Sequence, residues 1–346
     1  MTCKLTFLPV GNADSIVIQD DNSLILVDLG NLDILEGWLK EHEFSSIDRI
    51  YITHAHGDHF PSLIKLVNFL DTWFKYGMLE KLHLPYRIIE IARTKILSDR
   101  KNLKFQRLEL ALNRMTEWRK EGAVKLSPIV QDGEEYSKGL LKIKALHPSQ
   151  DYVENHLATS GSKLNEISIV LKVIYGNFSA LLLADIEGAG LSEFLSFLKI
   201  NTKHSKFTAN VVKIPHHGAY PKNGDGLKEL LALVNAEIAV LSVGGKNTYG
   251  HVEPELFKAL TELQNNNAQR LKKFICTEVT RTCIHSASDL AALDKKGLKK
   301  TEKCAGEITI VADISGTWKL KTETVDHPTK VASFTHAACD GRADLS

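Results

Sequence analysis

Four side chains able to bind a metal ion lie close together in the segment Thr-His-Ala-His-Gly-Asp-His at residues 53–59. They are His54, His56, Asp58 and His59. Imidazole nitrogens and carboxylate oxygens are ligands that suit Zn²⁺, Mn²⁺ or Fe. A solvated polar turn is the alternative interpretation, but such a density of donors favours a metal site.

A predicted β-strand leads directly into this heptad. Residues 47–53, Ile-Asp-Arg-Ile-Tyr-Ile-Thr, alternate in polarity and are rich in β-branched and aromatic side chains. Phe60 and Pro61 then open a predicted helix. The end of a strand is rigid and the loop after it is accessible, which suits a preorganised metal site.

Further candidate ligands follow other predicted strands. His147 follows the predicted strand 140–146 and precedes a proline, and Asp185 follows 178–184. The pair His216 and His217 follows the predicted strand 209–214. Taken alone, each of these residues is more typical of a turn.

The His-x-His-x-Asp-His pattern after a strand resembles the signature of the metallo-β-lactamase fold superfamily. In that family, the first two histidines bind one metal ion, and the aspartate and third histidine bind a second. Further segments match in the same order and resemble the hydrolase domain of ComEC-type DNA-uptake proteins and their free-standing relatives: 10–15, 27–30, 146–148, 165–168, 183–187, 214–218 and 249–251. The resemblance covers roughly residues 4–262, with Ala13 where that branch has a glycine.

This resemblance implies two divalent metal ions, Zn or Mn, that generate a hydroxide nucleophile. It implies two ligand sets that share a bridging carboxylate: His54, His56 and His147 for the first ion, Asp58 and His59 with His216 or His217 for the second, and Asp185 between them. Within the last pair, His216 is favoured because it lies nearest the strand end. Asp58 would also orient the hydroxide, while both cations neutralise charge on a phosphoryl or carbonyl oxygen.

Five other polar residues are candidates for supporting roles. Asp14 and Asp28 lie in predicted turns and could accept ring N–H bonds from ligating histidines, or simply form the turns. Asn165 and Ser168 could line the pocket or satisfy loop backbone. His251 precedes a predicted helix, where an imidazole could bind phosphate or protonate a leaving oxygen.

The order of predicted elements indicates an α/β (α+β) fold, the metallo-β-lactamase αββα sandwich with a helical insertion and a C-terminal extension. A strand-rich start and a later alternation of strands and helices suit two sheets between helices. Residues 1–268 are predicted to form the hydrolase domain, with the insertion at about 86–121, and 269–346 the extension, whose role is unknown. The insertion either determines substrate choice or is a plain solvated cover.

The composition is that of an ordinary globular protein. The 346 residues carry a net charge of +1, with 43% hydrophobic and 25% charged residues. A net charge this close to zero does not by itself indicate binding to nucleic acid or to a membrane. Lys213, Lys222 and Lys246 nevertheless flank the candidate loops and could attract a polyanion. No apolar run approaches the roughly 18–20 residues of a membrane span, and no signal sequence is evident, so a cytoplasmic location is predicted.

The chain contains five cysteines, an odd number that argues against a disulfide framework. Four of them, Cys276, Cys283, Cys304 and Cys339, follow residue 270 and raise the alternative of a structural zinc site. Their spacings lack a paired Cys-x-x-Cys pattern, which favours ordinary thiols.

The favoured function is a metal-dependent phosphodiesterase or nuclease that acts on nucleic acid or a nucleotide. Hydrolysis of a lactam, lactone or thioester is the alternative enzyme class, because a fold does not fix a function. A non-catalytic sensor or subunit of a bacterial antiviral defence system is the third interpretation. A protein partner in defence or DNA processing is compatible with each of them.

Overall fold

Two β-sheets lie face to face, and helices cover the outer face of each sheet. This arrangement confirms the predicted αββα class. The computed structural model describes the following residues: 1–44, 46–74, 79–85, 88–99, 101–122, 125–128, 135–159, 163–201, 207–221, 225–292, 297–337 and 339.

The first sheet has eight strands in the spatial order β15-β14-β1-β2-β3-β4-β5-β6. Strands β3 to β6 run parallel to one another, whereas the remaining neighbours are antiparallel. The bounds of the strands are β1 (Thr2–Phe7), β2 (Ile16–Gln19), β3 (Leu24–Val27), β4 (Ile47–Tyr51), β5 (Leu79–Leu84), β6 (Lys125–Pro128), β14 (Ile308–Asp313) and β15 (Trp318–Thr322).

The second sheet has seven strands in the order β13-β12-β11-β10-β9-β8-β7. Strands β10 to β13 are parallel, and β7 to β10 are antiparallel. The bounds are β7 (Tyr136–Lys138), β8 (Leu141–His147), β9 (Val170–Tyr175), β10 (Phe178–Leu182), β11 (Val211–Lys213), β12 (Ile238–Leu241) and β13 (Lys273–Cys276).

Strand β3 of the first sheet is apolar throughout. Its four residues, Leu-Ile-Leu-Val, are all buried. Ile25 and Val27 belong to the core between the sheets, and Leu24 and Leu26 pack against the helices outside. Side chains alternate between the faces of a strand, so a strand covered on both faces needs a continuous apolar run.

Helices α1 to α4 lie on the first sheet's side: α1 (Leu32–Glu41), α2 (Leu63–Phe74), α3 (Ile88–Ser98) and α4 (Leu103–Lys120). The predicted insertion corresponds to α3 and α4, and Met115 and Trp118 of α4 are buried in the outer core. The other helices are α5 (Gln150–Thr159), α6 (Gly188–Asn201), α7 (Asp225–Val234), α8 (Pro254–Asn265), α9 (Arg281–Ile284), α10 (Ala287–Ala292) and α11 (His327–Ala332).

Residues after 268 contribute strands to both sheets. Strand β13 pairs with β12 at the edge of the second sheet. Strand β14 pairs antiparallel with β1, from Thr2 opposite Asp313 to Phe7 opposite Ile308. The segment that the sequence marks as an extension therefore packs within the same sandwich.

Several strand exits adopt backbone conformations that side chains disfavour. Asp28 after β3 has φ 59°, and Ala184 after β10 has φ 47°. His216 and His217 after β11 have φ 49° and 50°. Left-handed conformations of this kind cost energy outside glycine and are concentrated at functional sites. These four positions lie at strand exits that carry candidate site residues, whereas Glu43, Ser62 and Asn235 share the conformation elsewhere.

Within the described residues, no helix combines the length and the apolar character that crossing a membrane requires.

Gly30 is where the heptad loop packs against the turn after β1. A Cβ atom at this position would lie 2.6 Å from Ala13 Cβ and 2.9 Å from the Asp14 carbonyl oxygen. Gly30→Ala should therefore lower the free energy of unfolding by about 1–3 kcal/mol, measured by urea denaturation. Gly37→Ala, in open space on α1, is the control and should leave stability unchanged or raise it by up to about 1 kcal/mol. Equal midpoints for Gly30→Ala and the wild-type protein would contradict this account.

Candidate metal centre

The Asp28 carboxylate joins the exits of two neighbouring strands. Its Oδ1 accepts the Thr53 backbone N–H at 2.7 Å, and its Oδ2 accepts the Thr53 hydroxyl at 2.8 Å. Oδ2 also accepts Nδ1–H of His59 at 2.7 Å. Asp28 thus fixes both the start of the heptad loop and the orientation of a predicted ligand.

Four side chains from three loops converge beside His59. Possible ligand atoms of Asp58, His59, Asp185 and His217 all lie within 4.8 Å of one another. His59 Nε2 is 3.1 Å from Asp185 Oδ1, and His217 Nε2 is 3.5 Å from Asp58 Oδ2. Parallel strands bring these loops together, because β10 and β11 end at the same edge of the second sheet.

A second group shares one member with the first. Possible ligand atoms of His54, His56 and Asp58 also lie within 4.8 Å of one another. His54 Nε2 is 4.0 Å from Asp185 Oδ2, so the two groups adjoin at the same carboxylate. The structure therefore brings together all four heptad donors and Asp185.

Backbone and carboxylate acceptors fix the tautomers of the histidines. Nδ1 of His217 donates to the Ser242 carbonyl oxygen at 2.9 Å, and Nδ1 of His147 donates to that of Ser168 at 2.9 Å. With Nδ1 protonated in each neutral ring, Nε2 carries the lone pair that can bind a metal.

The distances between the donor atoms show whether these residues suit a cation. Nε2 of His59 and Nε2 of His217 face each other at 3.3 Å with two carboxylates beside them. Two lone pairs at this separation repel unless a proton or a cation lies between them. The buried Nε2 of His54 has no hydrogen-bond partner. The residues present thus fit divalent metal ions.

Burial and neighbouring charges shift the pKa values of the cluster residues in opposite directions. Burial alone would lower the pKa of His59, but the Asp185 and Asp28 carboxylates raise it well above its usual value. Burial would raise the pKa of Asp185, yet His59 and His217 hold it well below. Burial also acts to raise the pKa of Asp58, and His217 and His59 lower it to about 2. The Asp58 and Asp185 carboxylates are therefore charged, and a metal ion would displace a proton from the His59 ring.

Of the histidine pair, His217 rather than His216 enters the cluster. His217 is fully buried, whereas 27% of the His216 side chain is exposed. His216 Nδ1 donates to Glu187 Oε2 at 2.9 Å, and its Nε2 is 4.0 Å from Asp185 Oδ2. The left-handed turn points the two rings in different directions. The group of possible ligand atoms thus includes His217 and not the favoured His216, and which of the two binds a metal stays a prediction.

His147 lies outside both groups among the described residues. Its ring is buried against Phe194, and its Nε2 is 3.4 Å from Glu193 Oε2. Burial lowers the pKa of His147 to about 4, so the ring is neutral and able to bind a metal. Its role as a ligand stays a prediction.

Lys213 is fully buried beneath the cluster, where the sequence suggested a lysine flanking a loop. Its ammonium group forms an ion pair with Asp14, donates to the Ala184 carbonyl oxygen at 3.0 Å and lies 3.7 Å from Asp185 Oδ1. Burial would lower its pKa, but Asp14 and Asp185 raise it. The Lys213 ammonium group is thus paired inside the protein and cannot attract a polyanion. Lys222 lies outside the described residues, and Lys246 is exposed.

The remaining candidates lie around the rim. Asn165 donates to Glu187 Oε1 at 2.9 Å, and Ser168 contributes its carbonyl oxygen to His147 while its hydroxyl is buried without a partner. The His251 ring lies 5.4 Å from the His216 ring, centroid to centroid. Glu187 had no predicted role, although its position two residues after Asp185 was a usable signal.

A cavity of about 1190 Å³ adjoins the heptad. Ala55 and Gly57 of the heptad form part of its wall, and α1 to α4 form most of the rest. Lys95, Lys104 and Phe105 of the insertion line it. The insertion thus lines a cleft next to the heptad, and the candidate metal ligands are not among the residues that line this cleft.

Comparison with known proteins gives partial similarities. No protein-family profile matches the chain. Ribonuclease Z of Pyrococcus abyssi is 35% identical over 92 residues, 25% of this chain and 27% of that protein. Ribonuclease Z of Pyrococcus furiosus is 32% identical over 81 residues, 22% of this chain and 24% of that protein. The chain spans about a quarter of the length of these relatives.

Similar solved structures are metallo-β-lactamase-fold proteins. One is YhfI of Bacillus subtilis, 11% identical, with a TM-score of 0.43 over 74% of this chain and 93% of that one.

The bond from His59 to Asp28 predicts a specific effect on metal binding. Asp28→Ala removes the acceptor that fixes the His59 tautomer and should weaken divalent metal binding about 10–100-fold, measured by competition with a chromophoric chelator. Asp33→Ala, at an exposed position on α1, is the control and should bind as the wild-type protein does. Unchanged affinity in Asp28→Ala would show that this bond does not orient a ligand.

Proposed function

We propose that the protein is a metal-dependent hydrolase, and that it cleaves phosphodiester bonds in nucleic acid or a nucleotide. The observation that carries this proposal is the convergence of His59 and His217 with Asp58 and Asp185. Imidazole lone pairs and buried carboxylates at one point form a site for divalent cations.

Two ions, Zn or Mn, are proposed, and Asp185, which lies near both groups of donors, would be available to either ion. His54, His56 and His147 would hold one, and Asp58, His59 and His217 the other. Divalent cations at such a site supply a water of lowered pKa and positive charge opposite a phosphoryl oxygen.

Side chains and backbone groups of this chain position the imidazoles and the attacking water. Asp28 and the Ser242 carbonyl oxygen hold the rings of His59 and His217 with Nε2 directed into the cluster, and the Ser168 carbonyl oxygen holds the His147 ring through Nδ1. Asp58 is the partly exposed carboxylate of the cluster and can orient the attacking water through a hydrogen bond. Lys213 holds Asp14 and the backbone near Asp185 in place from below.

The cleft beside the heptad supports a nucleic acid or nucleotide as substrate. Lys65, Lys95 and Lys104 line it, together with Phe105. Lysines suit phosphate groups, and aromatic rings stack on bases. The partial likeness to ribonuclease Z supports the same substrate class. We propose that the insertion holds the part of the substrate beyond the scissile bond. A protein partner in antiviral defence or DNA processing, and the cytoplasmic location, stay predictions.

Asp58→Ala should abolish hydrolysis while the fold remains intact. The side chain is 31% exposed, so its loss removes little packing. The assay uses single- and double-stranded DNA, RNA and a chromogenic phosphodiester with added Zn²⁺ or Mn²⁺, and thermal melting of the metal-free protein checks the fold. Asp151→Ala, exposed on α5, is the control and should remain active.

Two results of this assay would count against the proposal. Wild-type turnover by Asp58→Ala would contradict the mechanism. Hydrolysis of a lactam, lactone or thioester by the wild-type protein, without cleavage of any phosphodiester, would refute the substrate class.

His251 is proposed to contact the scissile phosphate or to protonate the leaving oxygen, because its ring lies beside His216 at the rim of the cluster. His251→Ala should lower kcat by about 10²–10⁴-fold, as expected for a positioned acid. Metal content, measured by mass spectrometry, should not change. Loss of metal would identify His251 as a ligand, and full activity with metal retained would leave it without a role in catalysis.

A further inference from the structure

A lysine-rich segment from the C-terminal part of the chain lies against the loop that carries His251. The segment is residues 297–300, Gly-Leu-Lys-Lys, and the loop is residues 243–251. Two backbone N–H groups of the segment donate to carbonyl oxygens of the loop: Gly297 to Asn247 at 2.5 Å and Leu298 to Gly245 at 2.7 Å. Residues far apart in the sequence thus form one surface.

Gly297 allows the two backbones to approach this closely. A Cβ atom at this position would lie 2.3 Å from the Asn247 nitrogen and 2.4 Å from the Gly245 carbonyl oxygen. Lys246 lies between the two residues that accept these bonds. Its backbone is therefore held beside the segment that continues into Lys299 and Lys300.

The three lysines of this surface carry positive charges that no neighbour neutralises. Lys246, Lys299 and Lys300 are exposed, and none of them forms an ion pair with any residue that the structure describes. Nearby lysines are by contrast paired: Lys303 with Glu323 and Lys330 with Glu302. Exposed ammonium groups without a carboxylate partner are available to phosphate groups.

The same loop presents an aromatic ring to solvent. Tyr249 is 63% exposed, and its ring is stacked on that of His251, with the centroids 5.7 Å apart and the planes 15° from parallel. Oδ1 of Asn247 accepts the backbone N–H groups of Tyr249, Gly250 and His251. The backbone that carries the two rings is therefore fixed by one side chain, with Tyr249 on the outside.

We propose that Lys246, Lys299, Lys300 and Tyr249 form a binding surface for a single-stranded nucleic acid. This inference rests on the proposed function and narrows its substrate to a polynucleotide with unpaired bases. Ammonium groups neutralise backbone phosphates in any sequence, and an exposed tyrosine ring stacks on an unpaired base. The bases of a duplex are already stacked on one another, so the ring contributes little to duplex binding.

This surface is separate from the cleft beside the heptad, because none of its four residues lines that cleft. It adjoins the candidate centre instead through His251, whose ring contacts both the Tyr249 ring and the His216 ring. A strand bound on the lysines and on Tyr249 would therefore lead past His251 to the candidate metal ligands.

Binding measurements test the surface separately from catalysis. All proteins carry Asp58→Ala, so that the probe stays intact, and bind a fluorescent single strand of about 15 nucleotides, DNA or RNA, in an anisotropy assay. The added changes Lys246→Gln, Lys299→Gln and Lys300→Gln together should weaken binding about tenfold or more. The slope of log affinity against log salt should fall by about 2, because each phosphate contact on a single strand contributes about 0.7.

A second triple variant is the matched control. Lys4→Gln, Lys142→Gln and Lys319→Gln remove the same charge from exposed lysines on β1, β8 and β15. This protein should bind as the Asp58→Ala parent does. Equal weakening in the two triple variants would overturn the proposal, because only the net charge would then matter. Absence of binding by the parent would overturn it as well.

Two substitutions of Tyr249 test the preference for unpaired bases. Tyr249→Ala should weaken binding of the single strand about 5–100-fold, the range expected for one stacked base, and leave the affinity for a duplex of equal length unchanged. Tyr249→Phe keeps the ring and should bind as the parent does. Equal weakening of single-strand and duplex binding by Tyr249→Ala would refute the assignment to single strands.

Failure of this surface can be told apart from failure of the proposed function. Phosphodiester cleavage by the wild-type protein, with parental affinity in the Lys246, Lys299 and Lys300 variant, would overturn the surface alone. Binding through the three lysines, without hydrolysis of any phosphodiester by the wild-type protein, would overturn the proposed function alone.

Discussion

The hydrogen bonds to the Asp28 carboxylate are the constraint on which the candidate centre depends. One buried group accepts the backbone and hydroxyl of Thr53 and the ring of His59. It therefore links β3, β4 and the far end of the heptad at a single point. The left-handed backbone of Asp28 places the carboxylate there, and its strain is offset because three donors meet it.

The candidate centre also depends on positive groups that balance its buried carboxylates. Asp14, Asp28 and Asp185 are each about 1% exposed, and isolated carboxylates at such depth would be very unfavourable. Lys213 supplies one buried positive charge, held between Asp14 and Asp185. The remaining negative charge faces His59 and His217, where a cation fits. The interior thus favours a proton or a metal ion at this position, and the fold and the proposed chemistry require the same charge distribution.

The sequence predicted the sandwich because its strands carry alternating or continuous apolar patterns, and it proposed the donors because each follows such a strand. Proximity to the strand end favoured His216, but a left-handed turn of three residues, which no local pattern predicts, decides which ring points inward. The sequence could not assign Lys213 either, because a lysine next to a loop is usually solvated and only the packing of Asp14 and Asp185 against it reveals its burial. The sequence also gave no indication of the roles of Glu187 and Glu193, because their histidine partners come from other segments of the chain. The pairing of β14 with β1 was also hidden, because nothing local to either strand specifies a partner some 300 residues away.

That pairing governs how the chain reaches its native state. The first strand obtains one of its two neighbours from residues 308–313, so a ribosome must synthesise most of the protein before the first sheet can close. Contacts of such long sequence separation slow folding, because loop-closure entropy is lost before they form. Until then, β1 presents an unpaired apolar edge that favours intermolecular association. The N-terminal half of the molecule is therefore most vulnerable to aggregation during synthesis, before its last strands emerge.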